Sequence, residues 1–268
     1  MPGLRLDTAP GELRAFVDGI ACDTQTLLGN RLAAVILHGS LAMGSFYPPK
    51  SDIDLLILVH DLPEAAGPIL YDLLARHHAA RPYAGGLEAS VILVADARAP
   101  YHPVPYLVHF SETTTGFRSW HDGALPMDED LVAHLTVARH RGVSLVGAAP
   151  AALIGDLPWA DYLASVHSDI DWLVDGDNIA TSPCYAVLNL CRWAMMQAAP
   201  DRIVPSKEEA ADWALDRLPV GLRGVVGQAL AAYRASDWPR SREDRQMAGG
   251  PWDRQALFRF RDHIRALP

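Results

Sequence analysis

Cysteine is scarce in this chain: Cys22, Cys184 and Cys191 are the three among 268 residues. They form no CxxC pair and leave an odd number, which argues against a disulfide framework or a zinc site. Cys184 and Cys191 fall seven apart on one expected helix and read as buried thiols. Positive charge is also in deficit. Lys and Arg number 23 against 32 Asp and Glu, a formal net charge of -9, so the chain lacks the basic face that neutralises nucleic-acid phosphates, and no nucleic-acid partner is expected. No apolar run approaches membrane-spanning length, and the first residues show no basic stretch followed by an apolar signal core; a cytoplasmic protein without a membrane partner is expected. A Walker-type loop, a GxSxG elbow, a dinucleotide fingerprint and internal repeats are missing as well. What is present is ordinary for a globular chain, 50% hydrophobic and 21% charged, with room for one large or two modest domains.

Apolar spacing changes character along the chain. "GELRAFVDGIACDTQTLLGN" carries Leu13, Phe16, Val17 and Ile20 at helical intervals, and "RLAAVILHGS", "SDIDLLILVH" and "LEASVILVAD" read as buried strands, with a helix over "AAGPILYDLLARHHAA" between the last two. From about residue 157 the spacing is helical: "WADYLASVHSDIDWLV", "CYAVLNLCRWAMM", "EEAADWALDRL", "GLRGVVGQALAAYRA" and "RQALFRFRDHIRAL". Ser182 before Pro183 suits an N-cap with proline at the first helical position, and Ser206 with Glu209 makes a capping-box pattern. Trp193, Met195 and Met196 read as core. The glycine- and proline-rich "GVSLVGAAPAALIGDLP" is the expected crossing between domains, and "SDWPRSREDRQMAGGPWD" a second loop. The expected architecture is α+β, with a mixed sheet and helices over residues 1–156 and an all-helical bundle over 157–268.

Three carboxylates stand where hydrophobes would be expected. Asp52 and Asp54 open the run "LLILV", and strand alternation would point both to one face. Two such carboxylates can share Mg2+, which commonly keeps one or two acidic ligands and takes substrate phosphates and water for the rest. Glu88 opens the strand "LEASVILV"; beside the first pair it could complete the metal site or accept a proton from an attacking hydroxyl. Gly39 and Ser40 of "HGS" offer a flexible turn, a hydroxyl and backbone N–H groups to phosphate oxygens, with Ser51 a further nucleotide-side candidate. His77, His78, His102 and His109 read as packed or exposed residues, not ligands.

"LHGS", "DID" and "LEASVIL" at this spacing resemble the nucleotidyltransferase superfamily of the DNA polymerase beta type. "AVLNLCRW", "IVPSKEEAADWALDRLP" and "ALAAYRA" are similar to the streptomycin and spectinomycin, or aminoglycoside (3'')(9), adenylyltransferases. The resemblance implies a polymerase-beta-like N-terminal domain and the following roles. Ser40 would contact the triphosphate of ATP, Asp52 and Asp54 would hold Mg2+, Glu88 would be the catalytic base, and Arg192, Lys207 and Tyr233 would reach the nucleotide. It further implies transfer of AMP to a hydroxyl of an aminoglycoside, an aminocyclitol or a similar small molecule, releasing pyrophosphate; a monomer is expected.

On the acceptor side the chain departs from that family. A family tryptophan falls near Thr113, and Ser182 stands where the family has aspartate. Trp172, Asp175, Asp177 and Glu112 are the acceptor-side candidates that remain. Two other readings stay open, nucleotide transfer to a protein hydroxyl and a non-catalytic module that senses nucleotide or ligand.

Overall fold

The computed structural model describes residues 3–48, 50–118, 124–199, 201–235 and 247–267. The chain divides into two compact units, Leu4–Ser165 and Val166–Pro268. Among the described residues no helix is long and apolar enough to cross a membrane.

In the first unit the helical spacing of Leu13, Val17 and Ile20 gives α1 (Gly11–Leu28). The apolar runs that follow give β1 (Leu32–His38), β2 (Ile53–Val59) and β3 (Leu87–Leu93). A one-turn helix, α2 (Gly39–Met43), leaves β1, and α3 (Ala66–Ala80) joins β2 to β3. Beyond β3 come α4 (Val94–Arg98), β4 (Val104–Pro105), β5 (Val108–Phe110) and β6 (Met127–Asp128). Then follow α5 (Leu131–Arg141), β7 (Val143–Gly147) and α6 (Pro150–Leu153).

The main sheet runs β5-β3-β2-β1-β7, and β4 and β6 form a separate pair. Only β2 and β3 are parallel, joined by the α3 crossover that parallel strands require; the other neighbours are antiparallel. Alternation sorts the side chains. Val35, Leu37, Leu55, Ile57, Ala89 and Val91 share one core cluster with Leu13, Val17 and Ile20 of α1 and Leu70 and Leu74 of α3. The opposite face carries buried Ile36, Leu56, Leu58 and Ile92, and α5 packs against β1, β2 and α2. Fully buried aliphatics contribute about 1.5–3 kcal/mol each, so the sheet is rigid enough to hold a charged group at its end.

The segment expected to be a crossing differs. Residues 143–147 form β7, the sheet's edge, paired antiparallel with β1. Its glycine content hid the strand, yet glycine is what the pairing needs: Gly147 has φ of +88°, and a Cβ there would overlap the Ala33 carbonyl oxygen.

The boundary between the units falls within α7 (Trp159–Val174). The second unit continues with α8 (Pro183–Ala198), α9 (Lys207–Arg217), α10 (Val220–Arg234) and α11 (Arg254–Arg265). Helix α8 packs against α9, α10 and α11; it is apolar on several sides, as a central helix must be. Cys184, Cys191 and the small residues Ala210, Ala211 and Ala214 of α9 lie in that core, with Trp193 and Met195 packed at its edge; Met196 is buried. Ser206 and Glu209 form the capping box in both directions, whereas Ser182 occupies the N-cap position of α8 without a side-chain cap bond. Of the loop expected over 236–253, residues 236–246 lie outside the described residues. The fold is α+β, with an N-terminal mixed sheet and a helical C-terminal part.

Candidate active site

β1 ends at His38 and the chain turns at Gly39, whose φ of +65° falls in the left-handed region that favours glycine. A Cβ on Gly39 would overlap Oδ2 of Asp54. The missing side chain is therefore the space in which the Asp54 carboxylate sits. His38 pairs with Asp54 across β1 and β2, and Asp54 pairs with Glu88 across β2 and β3. Cross-strand partners point to one face, so Asp54 and Glu88, both half-buried, stand side by side on the face covered by α5.

Asp52 lies just ahead of β2, not within it, so strand alternation does not orient it. Its Oδ1 accepts the N–H of Gly86. Two contacts set up that bond: the Gly86 carbonyl accepts the Ile53 N–H at 3.0 Å, and the Gly85 N–H donates to the Pro48 carbonyl at 3.2 Å. A Cβ on Gly86 would lie 2.6 Å from Oδ1 of Asp52, and one on Gly85 would overlap the Ser51 carbonyl oxygen, so this loop needs glycine at 85. Ser51 is buried and its hydroxyl accepts the Tyr47 N–H at 3.0 Å, which engages it inside the turn that delivers Asp52. Ser40 is half-buried in the first turn of α2.

Tyr83 donates to the Gly86 carbonyl at 3.2 Å. Burial, then the carboxylate of Asp52 and more weakly that of Asp54, push its hydroxyl pKa far above the usual phenol value. His78 accepts the Leu87 N–H on Nδ1 at 3.3 Å; burial and Arg81 hold its pKa below the usual imidazole value. Nδ1 of His134 approaches Oε1 of Glu88 to 3.9 Å. The His134 ring leans on His38, with centroids 5.2 Å apart. His38 is 4% exposed, and burial followed by the nearby His134 keeps it neutral, its pKa well below the usual value.

Sequence reading missed Gly86, Tyr83, His38 and His134 as parts of this site. The "GG" before Glu88 and the histidine of "LHGS" were available signals; His134 had none, since α5 reaches the sheet only through tertiary packing. Among the described residues no three His, Cys, Asp or Glu side chains are gathered closely enough to cage a metal. Asp52 turns to Gly86, Asp54 lies against Gly39, and Glu88 approaches His134. Two hard carboxylate donors beside a glycine cradle nevertheless fit Mg2+, which needs only one or two protein carboxylates when phosphates supply the rest.

The remaining candidates lie in the helical unit, except Glu112. Half-buried Arg192 on α8 donates through Nε to the Pro205 carbonyl at 3.2 Å and through an Nη to Oδ1 of Asn189 at 3.3 Å. Lys207 opens α9 behind the Ser206 capping box, its ammonium 4.9 Å from the centroid of the Tyr185 ring. Tyr233 on α10 is half-buried at the edge of the helical core. Trp172 is exposed, as are Asp175 and Asp177; Asp177 pairs with Arg254 at 2.8 Å. Glu112 is exposed beside the threonine-rich 113–115 segment, which lines a hollow of about 440 Å³ with Tyr106, His109 and Arg118.

Known proteins are similar to this chain. The family model for the C-terminal domain of aminoglycoside adenylyltransferases matches residues 152–249. An aminoglycoside (3'')(9) adenylyltransferase of Escherichia coli is 31% identical over 229 residues, spanning 78% of this chain and 80% of that protein. A spectinomycin 9-adenylyltransferase of Staphylococcus aureus is 27% identical over 217 residues, spanning 78% and 80%. The crystal structure of a spectinomycin adenyltransferase from Enterococcus faecialis with ATP and spectinomycin superposes with a TM-score of 0.69 at 18% identity, covering 96% of this chain and all of that one; this likeness speaks to the fold. Sequence identity over most of both chains carries the assignment further: the chain belongs to the aminoglycoside (3'')(9) adenylyltransferase family.

Proposed function

We propose that the protein transfers AMP from ATP to a hydroxyl of an aminoglycoside or aminocyclitol antibiotic and releases pyrophosphate. The observation that carries the reading is the in-register placement of Asp54 and Glu88, with the Asp54 carboxylate seated in the space that Gly39 leaves open. Family membership supports AMP as the group and an antibiotic as the acceptor. We take the protein to act in the cytoplasm, where ATP is supplied, and as a monomer.

Asp52 and Asp54 would hold Mg2+. When bound there it offsets phosphate charge and polarises the phosphorus under attack. Gly39 and Ser40 face the triphosphate in this reading, with Ser51 holding the turn that delivers Asp52. Glu88 takes the proton as the acceptor oxygen forms its bond to the α-phosphorus; the bond from that phosphorus to the bridging oxygen breaks, and pyrophosphate carries away the electron pair. Arg192 and Lys207 contribute fixed positive charge to the phosphates, and Tyr233 contacts the nucleotide. Trp172, Asp175, Asp177 and Glu112 are the acceptor-side residues, exposed acids and an aromatic suited to a cationic, polyhydroxylated ligand.

The test is incubation with ATP, Mg2+ and separate samples of spectinomycin and streptomycin, read by mass spectrometry and pyrophosphate release. A drug heavier by one AMP less water supports the proposal. Nucleotide appearing on protein, or ATP binding without turnover, replaces it with one of the two other readings.

A further inference from the structure

We infer that His134 is a positioning residue for Glu88, holding the carboxylate in the orientation in which it can take a proton. The inference rests on the reading of Glu88 as the base. Glutamate reaches its target through three rotatable bonds, and a base displaced by about 1 Å can lose on the order of 100-fold in rate. Something must fix it. Among the described residues, His134 is the basic side chain within ion-pair distance of Glu88, Nδ1 to Oε1 at 3.9 Å. That separation is too long for a hydrogen bond. It is of the kind that closes when substrate docks, because catalytic contacts are often loose in the unliganded enzyme.

The surroundings make His134 a stable post. It lies in the first turns of α5, where Leu131, Val132 and Leu135 are buried, and α5 packs on β1 and β2. The ring is backed by that of His38, 5.2 Å away at an interplanar angle of 48°, and His38 is locked into the end of β1. Glu88 and His134 keep similar partial exposure, 32% and 30% of their side chains, so the pair borders solvent where an acceptor would enter. Once the contact closes, His134 would hold Oε1 and the acceptor hydroxyl would meet Oε2.

Steady-state kinetics of His134→Ala, His134→Asn, Glu88→Gln and the Glu88→Gln/His134→Ala double variant test the inference, with thermal melts alongside. His134→Ala is expected to lower kcat about 10- to 100-fold while leaving KM for ATP nearly unchanged. His134→Asn, whose amide N–H occupies the place of Nδ1, should recover most of that loss. The double variant should be no slower than Glu88→Gln alone, because both changes act through one carboxylate. A merely structural role would predict equal damage from Ala and Asn, following the loss of melting temperature. If the wild type turns over, Glu88→Gln is inactive and His134→Ala keeps a wild-type kcat, the inference is overturned and the functional reading stands. If the wild type modifies no acceptor, the functional reading falls and takes the inference with it.

Discussion

Asp54 and Glu88 occupy facing positions on the parallel strands β2 and β3. Two carboxylates so close on one face repel unless their roles differ, one neutralised by a cation and the other kept available for a proton.

That division of labour predicts different failures. Glu88→Gln should lower kcat by about 10²–10⁴ while binding of ATP with Mg2+ is retained, because in the proposed role the lost group takes the proton and touches no phosphate. Asp54→Asn should weaken Mg2+ binding itself, raising the metal concentration for half-maximal rate and lowering kcat together. Initial rates across a Mg2+ titration, paired with calorimetric ATP binding, separate the two. Identical titration curves for both variants would contradict separate roles. Chelation of Mg2+ should abolish wild-type turnover, with recovery when the ion is restored.

Gly39 gives a second test. Alanine there must adopt φ of +65° and place its Cβ on Oδ2 of Asp54. The backbone alone costs about 1–2 kcal/mol, and the carboxylate must move as well. Gly39→Ala should therefore melt several degrees lower and lose at least about tenfold in kcat, with the larger effect on rate. Gly29 serves as the control. It also has positive φ, of +55°, but a Cβ there meets nothing within 4 Å, so Gly29→Ala should lose stability while keeping activity.

Much of this site was legible in the sequence because its parts are local. Asp54 and Glu88 interrupt apolar runs whose length and period already declare strands, and the "HGS" turn directly follows another. Legibility ends where tertiary pairing decides. Nothing local says that Val143–Gly147 would pair with β1, or that α5 would bring His134 to Glu88. Asp52 shows the limit of periodicity: read as part of the strand, it sits outside it, and a bond from Gly86 orients it instead.

Thiol chemistry checks the burial pattern independently of activity. Burial pushes the Cys191 thiol up to about 12, and Cys184 is enclosed with its Sγ directed to the Ala229 carbonyl at 3.5 Å, whereas Cys22 is exposed. Since the thiolate is the reactive species, a disulfide reagent at mildly alkaline pH should label one of the three cysteines in the native protein and all of them after denaturation. Fast labelling of Cys184 or Cys191 in the native state would mean that the α8 core opens readily.

The capping box of α9 would link stability to nucleotide binding through Lys207 in the proposed role. The Ser206 hydroxyl accepts the Glu209 N–H at 3.1 Å, and the Glu209 carboxylate accepts the Ser206 N–H at 2.7 Å; the next residue after the cap is Lys207. Ser206→Ala removes the hydroxyl acceptor and should cost about 1 kcal/mol, visible as a lower melting temperature. If Lys207 binds the triphosphate, fraying of that first turn also loosens its ammonium, and KM for ATP should rise several-fold with kcat little changed. Lys207→Gln should give the same kinetic signature with the cap, and hence the melting temperature, nearly intact. Finding the KM effect in Ser206→Ala but not in Lys207→Gln would assign the nucleotide contact to another residue of α9.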